Sequence, residues 1–402
     1  MNNKSLKILL LTPIYPSPDL ICQTTVVHTF AKEWVAMGHQ VRVVHNIVSF
    51  PRILYFFASF FKEFIASKLG TKINFKKVKS DSRYVIDGIE VFRFPMFKFL
   101  PHGRYAKKQI ENQLKKIKLA NEIDGFIPDV IIGHWTNPQI ELMPTLKKVY
   151  NSKSCLIFHD KATDFNIKYK EEGKLLLDSF DVIGYRSTVI KSHIEKQIKV
   201  FPKSFICYSG LTDIFFNNRK VKKIKEDIVN YVFIGDFFAR KNPSILLLAL
   251  AKAYKNITFN IDYVGNGYEQ KKIVTTAKKL KKLSNIKFHG QLSHEQIKNV
   301  LFDTDCFIML SKNETLGLVY LEAMAMGCIT ICSKNEGIDG IIVNGVNGFL
   351  CEEGNVVELA ELINTIRQLS IEERRQISNN AIATMSSFST LEVAKKYLEQ
   401  II

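Results

Sequence analysis

The feature that most constrains this chain is an alternation that runs, breaks and starts again. Short apolar runs rich in Val, Ile and Leu recur between stretches of helical periodicity. KILLLT (7–12) precedes a helical segment over 25–37 that Gly38 closes, and QVRVVH (40–45) follows. DVIIG (129–133), SCLIF (154–158), DVIGY (181–185) and FICYS (205–209) repeat the theme. Apolar runs without polar alternation read as strands buried on both faces, as in a parallel sheet covered by helices. YVIDGIEVFRF (84–94) differs, because Asp87-Gly88 between two β-rich runs signals a hairpin. The stretch NNRKVKKIKED (217–227) is charged and poor in apolar residues, and after it the alternation restarts with YVFIG (231–235), ITFNIDYVG (257–265), IKFHG (286–290), CFIML (306–310) and ITICS (329–333). The restart predicts two α/β domains of similar size. We place them at 1–208 and 229–385, with a linker over 209–228 and a last helix at 386–402 that packs back on the first domain.

A length of 402 residues suits two or three domains, and 46% hydrophobic residues is ordinary for a globular chain. No apolar run approaches the ~20 residues that span a bilayer. The N-terminal MNNKSLKILLLTPIYP has too short an apolar part for a signal peptide and no small-residue cleavage site, so it reads as a first buried strand. Seven cysteines without a CxxC pair argue against a disulfide framework or zinc site and for a reducing cytoplasm. The net charge of +17 is uneven: residues 1–205 carry 32 Lys+Arg against 18 Asp+Glu, and the rest carries 24 against 21. Two readings fit a basic first half, an anionic partner or a lysine-rich solvated surface.

Ligands of open parallel sheets bind beyond the carboxyl ends of the strands. After CFIML comes SKNETLGLVYLEAMAMGCITIC, with Glu314 in the loop and a helix predicted to begin between Thr315 and Leu318 and to run to Ala325 before Gly327. A helix N-terminus offers unpaired N–H groups and a positive dipole end, which suits a diphosphate, and Gly317 lets that backbone approach closely. Glu322, one turn into the helix, can accept hydrogen bonds from two adjacent ribose hydroxyls. Glu314, before the helix, can reach a sugar beyond the phosphates. A capping or surface role is the alternative for each.

At these residues the chain resembles glycosyltransferase family 4, the retaining enzymes of GT-B fold: two Rossmann-like domains facing each other across a cleft. Ser311, Glu314, Gly317, Glu322, Ala323, Met324, Ala325 and Gly327 carry the resemblance, with the acids in E-x7-E spacing, and NEGIDGIIVNGVNGFL (335–350) continues it as the family's Gly-rich stretch. The resemblance implies donor contacts from Arg240 and Lys241, which match the family's basic pair in YVFIGDFFARKNP (231–243). It also implies contacts from Gly235, from Gly265 in the VGNGYEQ turn with Gly267, and from Gly317, Leu318 and Glu322. Glu314, Lys241 and His134 are the implied catalytic residues. His134 ends the strand of DVIIG-HW, where members often carry a histidine near the transferred sugar. His159 or Asp160, after the next strand, can contact the acceptor. His39 reads as structural.

Two departures stand out. The loop after the first strand, YPSPDLICQTTVV, lacks the family's Gly-Gly, which leaves Thr24 or Thr25 to approach the cleft. Asp339-Gly340 stands where many members have Pro-Glu. The resemblance implies front-face transfer with retention, no cofactor and no metal. Asp303-Thr304-Asp305 fits a metal-binding DxD by letter, but precedes its strand. The expected partners are a nucleotide-sugar donor, UDP-linked, and a glycan or polyprenyl-linked acceptor of capsule, exopolysaccharide or lipopolysaccharide synthesis. ILYFFASFFKEFIA (53–66) and the basic TKINFKKVKSDSR (71–83) suit an amphipathic contact with anionic lipid, giving a peripheral seat on the inner face of the cell membrane; a buried helix with a solvated charge run is the alternative. A GT-B-like sugar-nucleotide epimerase is the nearest rival function. A nucleic-acid-binding protein would need a module not visible here, and a nicotinamide enzyme would need G-x-G-x-x-G after a first strand.

Overall fold

A computed structural model of the chain describes residues 5–20, 24–53, 55–56, 77–99, 103–159, 162–217, 222–254 and 258–402. The expectations resting on Cys22, Asp160, and most of the aromatic and basic segments at 53–66 and 71–83 lie outside the described residues. Two compact units emerge, one ending at Ser209 and regained at Thr390–Ile402, the other spanning Gly210–Ser389.

The first unit runs β1 (Lys7–Thr12), α1 (Val26–Ala36), β2 (Gln40–Ser49), β3 (Ser82–Ile86), β4 (Ile89–Phe97), α2 (Lys107–Glu122), β5 (Val130–His134), α3 (Gln139–Tyr150), β6 (Lys153–Phe158), α4 (Ala162–Leu177), β7 (Val182–Tyr185), α5 (Thr188–Gln197) and β8 (Ser204–Ile206). The eight strands order as β3-β4-β2-β1-β5-β6-β7-β8. All neighbours are parallel except β3 and β4. Those two form the hairpin legible in the sequence: Ile86 pairs with Ile89, and Asp87 and Gly88 both have positive φ (49° and 74°), as a two-residue type I′ turn requires. The period of two divides β1 between two cores. Ile8 and Leu10 join Phe30 and Trp34 of α1 on one face, while Leu9 and Leu11 join Ile117, Ile140 and Phe165 on the other.

The second unit continues with β9 (Asn230–Ile234), α6 (Pro243–Ala253), β10 (Asn260–Val264), α7 (Gln270–Lys279), β11 (Ile286–Gly290), α8 (His294–Asp303), β12 (Cys306–Met309), α9 (Leu318–Ala325), β13 (Ile329–Ser333), β14 (Phe349–Cys351), α10 (Val356–Gln368) and α11 (Ile371–Met385). Its six strands are parallel, in the order β11-β10-β9-β12-β13-β14. The sequence reading did not anticipate β14, three residues inside the Gly-rich stretch.

The last helix, α12 (Thr390–Glu399), belongs to the first unit. Trp34 Nε1 donates to Ala394 O at 3.0 Å, and the Tyr397 ring stands edge-on to Phe30 at 5.1 Å. In each unit the first strand lies mid-sheet and the chain order reverses beside it, between β1 and β5 and between β9 and β12. Loops on either side of such a switch diverge and leave a crevice at the strand carboxyl ends.

Candidate active site

The crevice of the second unit collects the residues that the motif singled out. After β9 the chain passes Gly235 into a 3-10 turn, Ala239–Lys241, and α6 starts at Pro243, whose fixed φ suits a first helical position. After β12 it passes Ser311 and Glu314 to Gly317, which caps α9. The two loops are stitched together: Lys312 N donates to Arg240 O at 2.6 Å, and Asn242 Nδ2 donates to Leu310 O at 2.9 Å. Lys241 Nζ therefore meets Glu314 Oε2 in a close ion pair, and Arg240 Nη1 lies 3.6 Å from the same oxygen. Burial would push the Glu314 carboxyl up. The Lys241 and Arg240 charges, with hydrogen bonds from Lys241 and Ser311, outweigh it and hold the carboxyl below the ordinary range.

Gly317 is forced by its surroundings. Its φ is +77°, and a Cβ there would lie 2.5 Å from the Tyr320 ring. The Tyr320 hydroxyl donates to Met309 O at 2.8 Å and meets Ser311 Oγ at 2.8 Å, which pins the start of α9 to the end of β12. Leu318 is the first residue of that helix. Gly265 is forced by the neighbouring loop: φ is +126°, and a Cβ would fall 2.0 Å from Gly235 O. Gly267 packs on the backbone of Phe237 in the same way. Gly235, Gly265 and Gly267 thus seat the β9 and β10 loops against each other.

Sequence reasoning missed Glu336. Its two carboxylate oxygens accept from Asn313 N at 2.9 Å and Glu314 N at 2.7 Å, and Gly337 N donates back to Glu314 O at 2.9 Å. The available signal was an acid just past β13, the strand beside β12, whose carboxyl-end loop must lie next to that of Glu314. Glu322 does not join the lysine cluster. It is buried and pairs instead with His294, the first residue of α8, at 3.4 Å from Nδ1 to Oε1.

Asp305, of the DxD-like triplet, sits at the amino end of β12 and accepts from Val229 N and Asn230 N at 3.1 and 2.9 Å, a structural cap at the opposite sheet edge from Glu314. Asp339 accepts from Asn335 N at 2.7 Å and so shapes its own turn. Among the described residues, no group of three or more His, Cys, Asp or Glu is arranged to hold a metal ion.

In the first unit, the switch beside β1 gathers the other candidates. His134, at the end of β5, is fully buried. Its Nδ1 lies 2.9 Å from His159 Nε2, and its Nε2 lies 3.3 Å from the Tyr397 hydroxyl. Both ring nitrogens are therefore engaged. His159 is partly buried and stacks on Trp135, ring centroids 3.8 Å apart. Burial pushes both imidazoles well below their ordinary range, and the Arg186 charge adds to it, so both are neutral near pH 7.

Thr24 and Thr25 lie at the start of α1, where Thr24 Oγ1 accepts from Val26 N at 3.3 Å and Thr25 O accepts from Thr29 N at 2.8 Å. The glycine-free loop before them is fastened by side chains. Tyr15 OH meets His28 Nδ1 at 2.9 Å, His28 Nε2 meets Asp87 at 2.9 Å, Tyr84 OH donates to Pro16 O at 2.7 Å, and Arg93 pairs with Asp19 at 2.5 Å. His39 Nδ1 accepts from Leu6 N at 3.2 Å, the structural role expected of it.

A charged cluster at the switch point of a parallel sheet marks a ligand site, and comparison with known proteins gives its class. Residues 215–384 match the family described as Glycosyl transferases group 1. A glycosyltransferase of Methanocaldococcus jannaschii is 26% identical over 65% of this chain and 71% of its own length. The lipopolysaccharide 1,2-N-acetylglucosaminetransferase of Salmonella typhimurium is 28% identical over 51% of this chain and 56% of its own. Among solved structures, sucrose-phosphate synthase from Thermosynechococcus elongatus superposes with a TM-score of 0.69 at 15% identity, covering 98% of both chains. Anabaena HepE in complex with UDP and glucose does so with a TM-score of 0.65 at 18% identity, again covering 98% of both chains. Residues 215–384 thus form a group 1 glycosyltransferase domain, within a chain that has the GT-B fold.

Proposed function

We propose that this enzyme moves a hexosyl or N-acetylhexosaminyl group from a UDP-linked sugar to a lipid-linked or growing glycan, with retention at the anomeric carbon, in capsule, exopolysaccharide or lipopolysaccharide synthesis. The observation that carries the reading is the convergence of Lys241 and Arg240 on Glu314 beside the start of α9. Negative charge grows on the diphosphate as the glycosidic bond breaks. Two cations and a helix N-terminus placed at that point stabilise the transition state more than the ground state. Glu314 keeps Lys241 directed before the donor arrives, then faces the transferred sugar. Glu322 holds the ribose, while Gly235, Gly265, Gly317 and Leu318 offer backbone at close range.

On the acceptor side, the partly buried ring of His159 meets the incoming hydroxyl, together with Asp160, Thr24 or Thr25. His134, neutral and held between His159 and Tyr397, orients that ring. The leaving diphosphate takes the acceptor proton, so the residues named supply positioning and charge, with no metal or cofactor. The Salmonella relative's name is the support for a lipopolysaccharide-type acceptor.

A panel of sugar nucleotides tests this by thermal shift and by transfer to oligosaccharide acceptors, with and without EDTA. We expect one donor class to stabilise the protein equally in both conditions. Loss of binding with EDTA would overturn the metal-free scheme, and turnover to an isomerised sugar nucleotide without acceptor would identify an epimerase.

We also place the enzyme on an anionic membrane surface in the cytoplasm. Among the described residues, no helix is long and apolar enough to cross a membrane. Lys98 N donates to Ser49 O at 2.7 Å, which sets the ends of β2 and β4 side by side. There Phe97 and Phe99, and Ile53 and Phe56 just past β2, are exposed. Exposed aromatic residues in a basic half suit the headgroup layer. Flotation with anionic vesicles should be strong at low salt and weaker at about 0.5 M, where screening shortens the Debye length to under ~5 Å. A protein left at the bottom of the low-salt gradient would sink the idea.

A further inference from the structure

Glu322, read above as the ribose carboxylate, is not open to solvent in this protein. It is 5% exposed, while the His294 side chain against it is 61% exposed, so the imidazole forms the solvent side of the contact. His294 is held in place. It begins α8, where Ser293 Oγ accepts from Gln296 N at 3.3 Å and Gln296 Oε1 accepts from Ser293 N at 2.9 Å in a capping box. Phe215, from the 3-10 turn Asp213–Phe215, stands edge-on to the ring at 6.1 Å between centroids. A ribose that presents adjacent hydroxyls needs both oxygens of Glu322, and one of them already faces Nδ1.

We propose that His294 is a donor-site residue that covers Glu322 in the free enzyme and yields it when a nucleotide ribose binds. This rests on the reading of Glu322 as the ribose carboxylate. An imidazolium at the first position of a helix faces the positive end of the dipole, which disfavours it. The hydrogen bond to Glu322 overcomes this: opposed by burial and helped by the Glu322 charge, it raises His294 above the ordinary imidazole range. The packed turn also carries Asp213, and α8 itself carries Glu295 and Lys298, while Glu322 is the charge that acts on the ring. When ribose hydroxyls donate to Glu322, His294 loses its counter-charge and releases a proton. Donor affinity therefore falls as the pH drops through the raised titration range of His294, by at most about tenfold per pH unit for one proton.

The test is equilibrium binding of UDP-glucose, UDP-N-acetylglucosamine and GDP-mannose at several pH values from about 5.5 to 8.5, the range in which a histidine titrates. The phosphodiester groups of these probes do not titrate there. Wild-type protein, His294→Gln, His294→Ala and Glu322→Ala are compared, each checked for a cooperative thermal melt. Wild-type affinity should drop several-fold toward the acid end. His294→Gln, which keeps a hydrogen-bond donor without a titrating charge, should flatten that dependence, and so should His294→Ala. The same acid-side loss in both His294 variants as in wild type would overturn the inference. Glu322→Ala separates the two levels: if it binds like wild type, the ribose reading itself fails. If no probe binds, the nucleotide-sugar reading fails and the inference with it.

Discussion

Lys241 and Glu314 hold each other in a nearly dry place, where the Lys241 charge keeps the Glu314 carboxyl ionised. Removing one therefore does two things. In Lys241→Ala, Glu314 keeps the longer contact with Arg240 and the Ser311 hydrogen bond but loses its close counter-charge, which costs stability of about 1–3 kcal/mol for a poorly partnered buried acid. On the proposed role of Lys241 at the donor diphosphate, donor affinity should also fall tenfold or more by calorimetry. Wild-type affinity would remove Lys241 from the site. Glu314→Gln carries a pH signature. The folded carboxyl titrates below its unfolded value, so its contribution is present above about pH 4.3 and is lost as pH falls through the lower folded value. Thermal melts should show the gap between wild type and Glu314→Gln closing as the pH drops from about 6 to 3, the span that brackets that titration. A gap that stays constant would mean that ionised Glu314 adds nothing to stability.

Between elements, the loop after β12 takes its shape from the loop after β13. Glu336 supplies both acceptors to the N–H groups of Asn313 and Glu314. In Glu336→Ala those groups must turn to water, which costs about 1 kcal/mol. The carboxylate of Glu314 drifts from Lys241, and donor affinity falls several-fold with the fold intact. Far-UV circular dichroism and a donor titration check this, and unchanged affinity would make Glu336 a bystander. The elements themselves were largely legible in the chain. Strands buried on both faces are written as apolar runs, so KILLLT and ITICS appear at 7–12 and 329–333 with the bounds read for them, as does the half-buried edge strand IKFHG at 286–290. Asp87-Gly88 announced its hairpin because both positions need positive φ. The strand β14 was not legible, because three residues flanked by glycines carry no period. Its pairing with β13 alone defines it.

At the scale of the whole molecule, the chain ends by completing the unit that it began. The α12 residues Ala394, Tyr397 and Leu398 join the core of Ile8, Phe30 and Trp34, hundreds of positions away in sequence. Tyr397→Ala would open a cavity beside Trp34 and remove the hydroxyl facing His134. We expect a loss of about 3–5 kcal/mol by chemical denaturation, seen in the first unit. A smaller loss, under about 1 kcal/mol, would mean that α12 is not part of that core.

The amino-acid sequence by itself determined the two-sheet α/β architecture and the identity of the acids and cations of the motif. Buried strands, glycine turns and the E-x7-E spacing depend only on neighbours within a few residues. Only the tertiary structure decided which charges meet. Lys241 lies 73 positions from Glu314, Glu336 lies 22 from Glu314, and His294 lies 28 from Glu322. Such pairings follow from the order of strands in a sheet, and hydrogen bonding between non-consecutive strands sets that order only once the chain has folded.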